Sequence, residues 1–491
     1  AGYKIIIVLA GMHNNLRSQT QMRLDEGFLG YETHPDKNDL RAIGVGLIDK
    51  DAALRPNYVT NRTDKGDFNT AKARSLGISP EQRPWLFVVK KNKTVLHQLL
   101  RWIQDHVADA QEKETGRKIV AGLPLLLIDD EADHASVDTG EQIFDEDGNP
   151  DEDHSPTAIN RAVRRILHTF ARSAYVGYTA TPFANIFIHE RGETRDEGPD
   201  LFPTSFIVNL AAPSSYVGPA QVFGLQSPEG RTPGLPLFRA VRDHASADGT
   251  AGWMPQKHKK GYVPVGDGPE IIPGSLRDAI DCFFLAVAVR KLRGQGDQHA
   301  SMLVHVTRFT SVQGEVHSQI DAYVRRLHQR LKRGIGADEA IARLRRLWDD
   351  DFTPTNAVAR NDFIVFGEVQ ALPDFDAVLE VLPDVIADTS VRMINGTAKD
   401  ALDYADQGGK GLKVIAIGGD KLSRGLTLEG LCTSYFLRAS KMYDTLMQMG
   451  RWFGYRPGYI DLCRLYTTDE LGDWFGHIAD AAEELREEFD L

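Results

Sequence analysis

The stretch Leu125-Leu-Leu-Ile-Asp-Asp-Glu-Ala-Asp-His134 is more informative about the fold than any other part of the chain. Its apolar residues form a run of strand length that ends abruptly in acids, which is typical of a buried strand in a parallel α/β sheet. The carboxyl ends of such strands form the sheet edge at which nucleotides bind. There, one carboxylate can hold Mg²⁺ through water, and its neighbour can orient or deprotonate a water that attacks a phosphate. The alternative is a core strand that ends in a solvated acidic turn.

The composition indicates a globular protein with several domains and no membrane segment. The 491 residues suffice for two or three domains, each with its own core. No apolar run approaches the length that spans a membrane. All three cysteines lie in apolar runs, which predicts reduced thiols and a cytoplasmic location.

The net charge restricts where a nucleic acid could bind. A formal charge of −12 excludes a surface coated in basic residues but leaves room for a local basic groove. Three basic segments are candidates for such a groove, namely residues 161–172, 257–260 and 325–346. The alternative for each segment is a solvated helix face.

Strand-like runs alternate with helix-like segments in two blocks, and this pattern predicts an α/β fold with two parallel-sheet domains. The strands predicted around the acidic stretch are residues 5–10, 85–89 and 174–178. Those predicted in the second block are residues 302–307, 391–394, 413–417, 433–437 and 462–466. A Pro/Gly-rich segment separates the two blocks and is predicted to be an insert or linker. The expected boundaries are 1–212 for the first domain, 213–274 for the insert, 275–475 for the second domain and 476–491 for an acidic helical tail.

Two hydroxyl residues follow the next strand after the acids, in Tyr178-Thr-Ala-Thr-Pro-Phe183. Because the carboxyl ends of parallel strands share one edge, Thr179 and Thr181 can hydrogen-bond the acids and sense their state. The alternative is that Thr-Pro simply ends the strand.

The second block contains two further motifs. In Gly418-Gly-Asp-Lys-Leu-Ser-Arg-Gly-Leu-Thr427, a strand runs into a turn whose glycines allow a close backbone approach to a ligand. In Met447-Gln-Met-Gly-Arg-Trp-Phe-Gly-Tyr-Arg456, the arginines Arg451 and Arg456 could stabilise charge on a transferring phosphoryl group. The alternative for the pair is two surface arginines beside an aromatic packing anchor.

Taken in order, these strings resemble the motifs of the superfamily-two helicases and translocases, whose two RecA-like domains clamp ATP between them. The resemblance implies that Glu131 is the catalytic base, that Asp130 holds Mg²⁺, and that Arg451 and Arg456 complete the site from the second domain. The residues that it implies couple hydrolysis to movement are Asp133, His134, Thr179, Thr181, Asp420, Arg424, Gly425 and Gln448. The nucleic-acid contacts that it implies are Asn15, Arg17, Gln19, Thr307 and Thr427.

Longer strings resemble the Z1 domain family of bacterial helicase-like proteins. They comprise residues 10–20, 129–136, 175–185, 418–427 and 447–456. The family is linked by gene context to restriction and phage defence, and its members are often described as endonucleases. The resemblance therefore implies ATP and Mg²⁺ as cofactors, duplex DNA as the partner, and further subunits of a defence system.

The sequence departs from the helicase pattern in two ways. It contains no Gly-x-x-x-x-Gly-Lys-Ser/Thr loop to cradle the phosphates, so we expect a chain truncated before that loop that binds ATP poorly as it stands. Arg451 and Arg456 are five residues apart, where many helicases place the two arginines three apart. Which arginine is the finger is therefore left open.

Two other functions compete with an ATP-driven motor. A metal-dependent nuclease would need a cluster of acids, and the nearest candidate is Asp362 with Glu368, where Gln370 stands in place of the usual lysine. A scaffold subunit of a defence complex would need no nucleotide, and the missing phosphate loop would favour it if the protein begins at Ala1.

Overall fold

The computed structural model divides the chain into two compact units. Unit 1 is formed by Ala1–Ile207, and unit 2 by Val208–Gly396 and Asp400–Leu491. The residues described are 2–12, 14–34, 41–49, 51, 55–75, 83–113, 115–138, 157–180, 183–186, 188, 192–194, 197–266, 271–362, 368–394, 410–419, 428–438, 446–447 and 449–489.

Unit 1 is built on a five-stranded sheet in which every pairing is parallel. Its strands in chain order are β1 (Ile5–Ala10), β2 (Asn57–Tyr58), β3 (Trp85–Val89), β6 (Leu125–Asp130) and β7 (Ser173–Tyr178). Their order across the sheet is β2-β3-β1-β6-β7. Two short antiparallel pairs add β4 (Ala110–Gln111) with β5 (Lys118–Ile119), and β8 (Glu193–Thr194) with β9 (Gly198–Pro199).

Helices cover this sheet and create its hydrophobic cores. They are α1 (Asn14–Leu24), α2 (Val45–Ile48), α3 (Thr70–Ser75), α4 (Lys93–His106), α5 (Ala158–His168) and α6 (Phe183–Ile186). All five residues of β3 are buried, as expected of a continuous apolar run near the middle of a parallel sheet. In β6 burial alternates, so Leu125, Leu127 and Asp129 lie on one face and Asp130 on the other. The acids therefore leave the strand on opposite faces.

Unit 2 contains a six-stranded sheet, again with only parallel pairings. Its strands are β13 (Phe238–Ala240), β14 (Ala300–His305), β15 (Thr389–Ile394), β16 (Lys413–Gly418), β17 (Leu431–Phe436) and β19 (Arg464–Thr467). Their order is β13-β19-β17-β14-β16-β15. Short antiparallel pairs join β10 (Tyr216–Val217) to β18 (Gly454–Tyr455), and β11 (Gln226–Ser227) to β12 (Gly230–Arg231).

The helices of unit 2 enclose a large core. They are α7 (Pro219–Phe223), α8 (Gly274–Arg290), α9 (Thr310–Arg333), α10 (Asp338–Leu347), α11 (Thr353–Asp362), α12 (Phe375–Asp388) and α13 (Asp469–Phe489). Almost every residue of α8 is buried, because a helix that is apolar on all sides is stable only inside a core. The predicted α/β class, with a parallel sheet in each of two tandem domains, is confirmed.

The segment predicted to be an insert packs within unit 2. Its strand β13 pairs with β19 and forms the end of the sheet, with Phe238 opposite Leu465. Val217, Val222 and Trp253 belong to the main core of the unit. These contacts supply the fixed structure that the Pro/Gly-rich composition did not predict. In the described part of the chain, no helix combines the length and apolar character needed to cross a membrane.

Candidate active site

The acidic stretch forms a tight turn at the carboxyl edge of the unit 1 sheet. Glu131, directly after β6, has a φ of 55°, and Ala135 has a φ of 66°. The His134 amide donates to the Glu131 carbonyl over 2.9 Å, and the Ala132 amide donates to the Tyr178 carbonyl over 2.9 Å. Left-handed backbone is unfavourable for residues other than glycine and persists only where surrounding contacts hold it. The contacts around this turn provide that support.

The first acid of the stretch is a structural group. Asp129 is fully buried, and its Oδ1 lies 2.7 Å from Nζ of Lys91, which is itself buried. The Tyr175 hydroxyl on β7 donates to Asp129 Oδ2 over 2.8 Å. Burial, followed by the charge of Asp129 and this hydrogen bond, raises the pKa of Tyr175. Asp129 therefore joins strands β6 and β7 to the segment that follows β3.

Lys91 also holds the backbone of the acidic turn. Its Nζ donates to the Glu131 carbonyl over 2.6 Å and to the His134 carbonyl over 3.2 Å. In the sheet, strand β1 lies between β3, which precedes Lys91, and β6, which precedes the acidic turn. The Lys91 backbone amide donates to the carbonyl of Gly11, the residue after β1, over 2.7 Å. Gly11 has a φ of 52°, and a Cβ there would lie 2.6 Å from Leu16 Cδ1. Through its hydrogen bonds to the turn, Lys91 thus fixes the backbone position of Glu131.

A small residue is required between the two acids that face the edge. Ala132 is buried, and a Cβ built on Gly177 of β7 would lie 3.0 Å from the Ala132 Cβ. The Asn185 side-chain amide donates to the Ala132 carbonyl over 3.2 Å. A larger side chain at either position would push the turn away from β7. This packing explains why an alanine separates Glu131 from Asp133.

The predicted contact between the hydroxyl motif and the acids is present. Thr179 Oγ1, directly after β7, donates to Asp133 Oδ1 over 2.8 Å, and both residues are half-buried. His134 is also half-buried and lies in the same turn. Thr181 lies outside the described residues. The hydrogen bond links the ends of β6 and β7, so a displacement of one acid would be transmitted to the next strand.

Asp130 and Glu131 are placed differently. Asp130 is the half-buried last residue of β6, whereas Glu131 is exposed. Burial raises the pKa of Asp130, the charge of Lys91 opposes that shift, and the charges of Asp129 and Asp133 add to it. No group of three His, Cys, Asp or Glu residues within the described ranges could by itself hold a metal ion. Proteins usually bind Mg²⁺ through one or two carboxylates together with water, and at this edge Asp130 would be such a carboxylate.

The predicted nucleic-acid helix α1 contains a buried arginine. Arg17 is fully buried, and its guanidinium donates to the Asn61 carbonyl over 2.8 Å and to the Thr63 carbonyl over 2.6 Å. It therefore orders the loop after β2 and presents no exposed surface to a phosphate in this conformation. Gln19 is partly exposed on α1, and Asn15 lies in the same helix.

The carboxyl edge of the unit 2 sheet is described only in part. Thr307 is buried, and its Oγ1 lies 2.7 Å from His258 Nε2. A Cβ built on Gly419 would lie 2.6 Å from Gln313 Nε2, so a larger residue there would displace the end of this side chain of α9. The other predicted residues of this edge lie outside the described residues, namely Asp420, Arg424, Gly425, Thr427 and Gln448.

The two arginines of the last motif have different surroundings. Arg456 is buried, and its guanidinium donates to the carbonyls of Tyr455, Trp452 and Phe453 over 2.7, 3.2 and 3.4 Å. Arg451 is partly exposed. Arg456 therefore stabilises the local backbone of unit 2, which distinguishes two residues that the sequence left equivalent.

The acids considered for a nuclease are not gathered into a metal site by the described residues. Asp362 is the exposed last residue of α11, and Glu368 is exposed. The Gln370 carbonyl accepts hydrogen bonds from Arg293 over 2.8 Å and from the Asn356 amide over 2.9 Å. Residues 363–367, which separate the two acids in the sequence, lie outside the described residues.

Sequence reasoning missed Lys91, Tyr175 and the structural role of Asp129. A signal was available for Lys91, because the sequence places Lys90 and Lys91 directly after a continuous buried strand. The carboxyl ends of parallel strands meet at one edge, so a lysine there can reach acids at the end of another strand. No comparable signal distinguished Asp129 from Asp130.

These features define an α/β protein of two parallel-sheet units with an ordered acidic turn at a carboxyl edge. Residues 275–491, under half of the chain, match the Z1 domain family model. A comparison with curated proteins finds no match.

Three solved structures are similar to the chain. "S. cerevisiae Dbp5 bound to RNA and ADP BeF3" has 10% identity and a TM-score of 0.37, over 100% of this chain and 81% of its own. Mycobacterium smegmatis helicase Lhr bound to ssDNA and AMP-PNP has 9% identity and a TM-score of 0.38, over 95% and 40%. The ATP-dependent Type ISP restriction-modification enzyme LlaBIII bound to DNA has 12% identity and a TM-score of 0.31, over 95% and 24%. The chain thus spans under half the length of the last two structures.

Proposed function

We propose that the protein is an ATP-dependent motor of the helicase or translocase type that acts on nucleic acid, with duplex DNA as its substrate. The observation that carries this proposal is the acidic turn, in which Lys91 fixes the backbone beside Glu131 and Asp133 accepts the Thr179 hydroxyl. This arrangement holds Glu131 at the sheet edge and links Asp133 to the end of strand β7. A nucleotide-dependent switch requires both properties.

Each residue of the turn has a defined role in this proposal. Glu131 is exposed, and we assign it as the base that orients and deprotonates the attacking water. Asp130 would hold Mg²⁺, which neutralises charge on the phosphates when it is bound. Asp133, His134, Thr179 and Thr181 would pass the state of the site to neighbouring strands. The proposed chemistry therefore uses Asp130 and Glu131, because Asp129 is already paired with Lys91 and Tyr175.

The remaining assignments combine the exposure of described residues with the roles that the motif resemblance implies. We assign Arg451, which is partly exposed, as the arginine that stabilises the transferring phosphoryl group, and Arg456 as its structural support. Asn15 and Gln19 on α1 are proposed to contact nucleic acid, with Arg17 ordering the adjacent loop. Asp420, Arg424, Gly425, Thr427, Gln448 and Thr307 keep the coupling and binding roles that the motif resemblance implies.

The test is ATP hydrolysis by the full-length gene product, with and without duplex DNA. We expect turnover that DNA stimulates and that Glu131→Gln abolishes, because the amide is isosteric but cannot take up a proton. Glu368→Gln is the matched control, since it removes an exposed carboxylate outside the site. It should leave ATP turnover unchanged.

The same pair of variants separates the competing functions. Cleavage of DNA with Mg²⁺ that is lost in Glu368→Gln and kept in Glu131→Gln would identify a nuclease instead. No turnover by the wild-type protein, with binding of other proteins intact, would identify a scaffold. Turnover that persists in Glu131→Gln would refute the assignment of the base.

We further propose that the protein works in the bacterial cytoplasm as part of a restriction or phage-defence system. This setting is supported by the resemblance of five sequence strings to the Z1 domain family. Deletion of the gene should raise the plating efficiency of phage on the host, and complementation with Glu131→Gln should not restore protection. Equal plating of phage on both strains would refute the setting but not the motor.

A further inference from the structure

Two helices of unit 1 form a basic surface that lies apart from the acidic turn. Lys93, His97 and Arg101 follow one another at intervals of four on α4, so they lie on one face of that helix. Arg161 and Arg165 have the same spacing on α5. We call these five residues the basic ridge.

Packing brings the two rows together. The opposite face of α4 contributes Leu96, Leu99 and Ile103 to the core, and α5 contributes Val163 and Ile166. Both helices therefore lie against the same face of the sheet, and their polar sides are turned outwards. The sequence separates the two rows by about sixty residues, so only the tertiary structure unites them.

Helices α4 and α5 pack against each other, and the pKa of His97 reflects this proximity. Partial burial lowers the pKa of His97, and the charges of Lys93, Arg101, Arg165 and Arg161 lower it further, in that order. A single imidazole is thus within electrostatic range of four cations from two helices. Like charges at such short range are unfavourable in the free protein and become favourable when an anion neutralises them.

Acids also lie close to the ridge. Glu197 lies 3.7 Å from Arg161 and 3.0 Å from Arg165, and only 5% of its side chain is exposed. Asp105, one turn beyond Arg101, lies 2.9 Å from Lys118 and is neutralised by it. Lys93 and Arg101 remain exposed on the outer surface.

We propose that the basic ridge binds the phosphate backbone of nucleic acid. A row of cations that repeats at each helical turn on two adjacent helices suits an extended polyanion better than a single small anion. Guanidinium groups add bidentate recognition of phosphate oxygens. The inference rests on the proposed function for its choice of nucleic acid, and it adds a contact surface that the helicase-like motifs do not contain.

The test measures binding of a fluorescein-labelled duplex in a salt series without nucleotide. The variant is Lys93→Gln with Arg101→Gln, because these two residues are exposed and do not pair with the buried Glu197. Loss of two phosphate contacts should reduce the slope of log K against log salt by about 2. At about 0.1 M salt, binding should weaken by roughly 10- to 60-fold.

The matched control is Arg360→Gln with Lys410→Gln, two exposed residues of unit 2 that lie outside the three basic segments. We expect it to retain the wild-type slope. Equal effects of the two variants, an unchanged slope in the ridge variant, or no duplex binding by the wild-type protein would each overturn the proposal. Because no nucleotide is present, a protein that binds through the ridge but hydrolyses no ATP would refute the motor and leave the ridge intact.

Discussion

Nζ of Lys91 lies 2.7 Å from Oδ1 of Asp129, and both side chains are almost completely buried. A buried ion pair of this kind adds little net stability in itself, but removal of one partner leaves an uncompensated charge in a medium of low polarity. The same ammonium donates to two carbonyls of the acidic turn. The position of Glu131 is therefore coupled to a charge that never reaches solvent.

Lys91→Met should lower the free energy of unfolding of unit 1 by about 3–5 kcal/mol, because it leaves the Asp129 carboxylate buried without a counter-ion. Urea unfolding measures this change. Lys118→Met is the matched control, since Lys118 lies 2.9 Å from Asp105 and both side chains are more than half exposed. It should cost less than about 1 kcal/mol.

A second substitution tests the cause of that loss. Asp129→Asn in the Lys91→Met background removes the buried charge and should restore part of the stability, but the turn would still lack the lysine donor. ATP turnover should therefore remain low while the unfolding midpoint recovers. Recovery of both would show that Lys91 acts only through Asp129, contrary to its hydrogen bonds with the backbone.

Thr179→Val should break the link between β7 and Asp133 while nearly preserving side-chain shape. A hydrogen bond to a charged acceptor contributes about 1.5–3 kcal/mol, and this pair, being half-buried, should lie near the lower value. A double-mutant cycle with Asp133→Asn measures the coupling. Thr179→Ser should behave like the wild type, and a coupling energy near zero would contradict a functional link.

The two arginines of the last motif should respond differently to substitution. Arg456→Met removes the donor for three backbone carbonyls and should destabilise unit 2 by roughly 2–4 kcal/mol. Arg451→Met should lower ATP turnover by about 10³-fold if it is the finger. Measurement of both quantities for both variants decides the assignment. A folded but inactive Arg456→Met would reverse it.

His305 should make the stability of unit 2 sensitive to acid. It is completely buried, and neither ring nitrogen has a hydrogen-bond partner among the described residues. Burial, together with the charge of Arg438, lowers its pKa to about 3. Below the unfolded-state value of about 6.5, the unfolded chain binds a proton that the native ring does not, so stability falls as the pH decreases towards 3.

His305→Phe removes this titration and the unpartnered nitrogens together. The loss of stability between about pH 8 and about pH 5 should be smaller in the variant by about 2 kcal/mol. Urea unfolding at the two pH values provides the measurement. The same pH dependence in variant and wild type would show that the ring is protonated in the native state.

Local patterns in the sequence were sufficient for the fold class and for part of the site. Continuous apolar runs such as Trp85–Val89 predict strands covered on both faces, and acids or hydroxyls after such runs predict a polar sheet edge. The hydrogen bond between Thr179 and Asp133 follows from that logic. Local patterns did not predict how residues 213–274 pack, because β13 forms only through its pairing with β19.

Residue type and spacing along one strand or helix therefore determined which elements form and which chemistry each can carry. Tertiary structure alone decided which charged side chains are buried and paired in the interior. It buries Asp129 with Lys91, directs Arg17 and Arg456 to backbone carbonyls, and gathers the basic ridge from two helices. The physical reason is that burial and pairing depend on neighbours that are distant in sequence. A carboxylate or guanidinium has the same sequence signature whether it faces a substrate or a carbonyl.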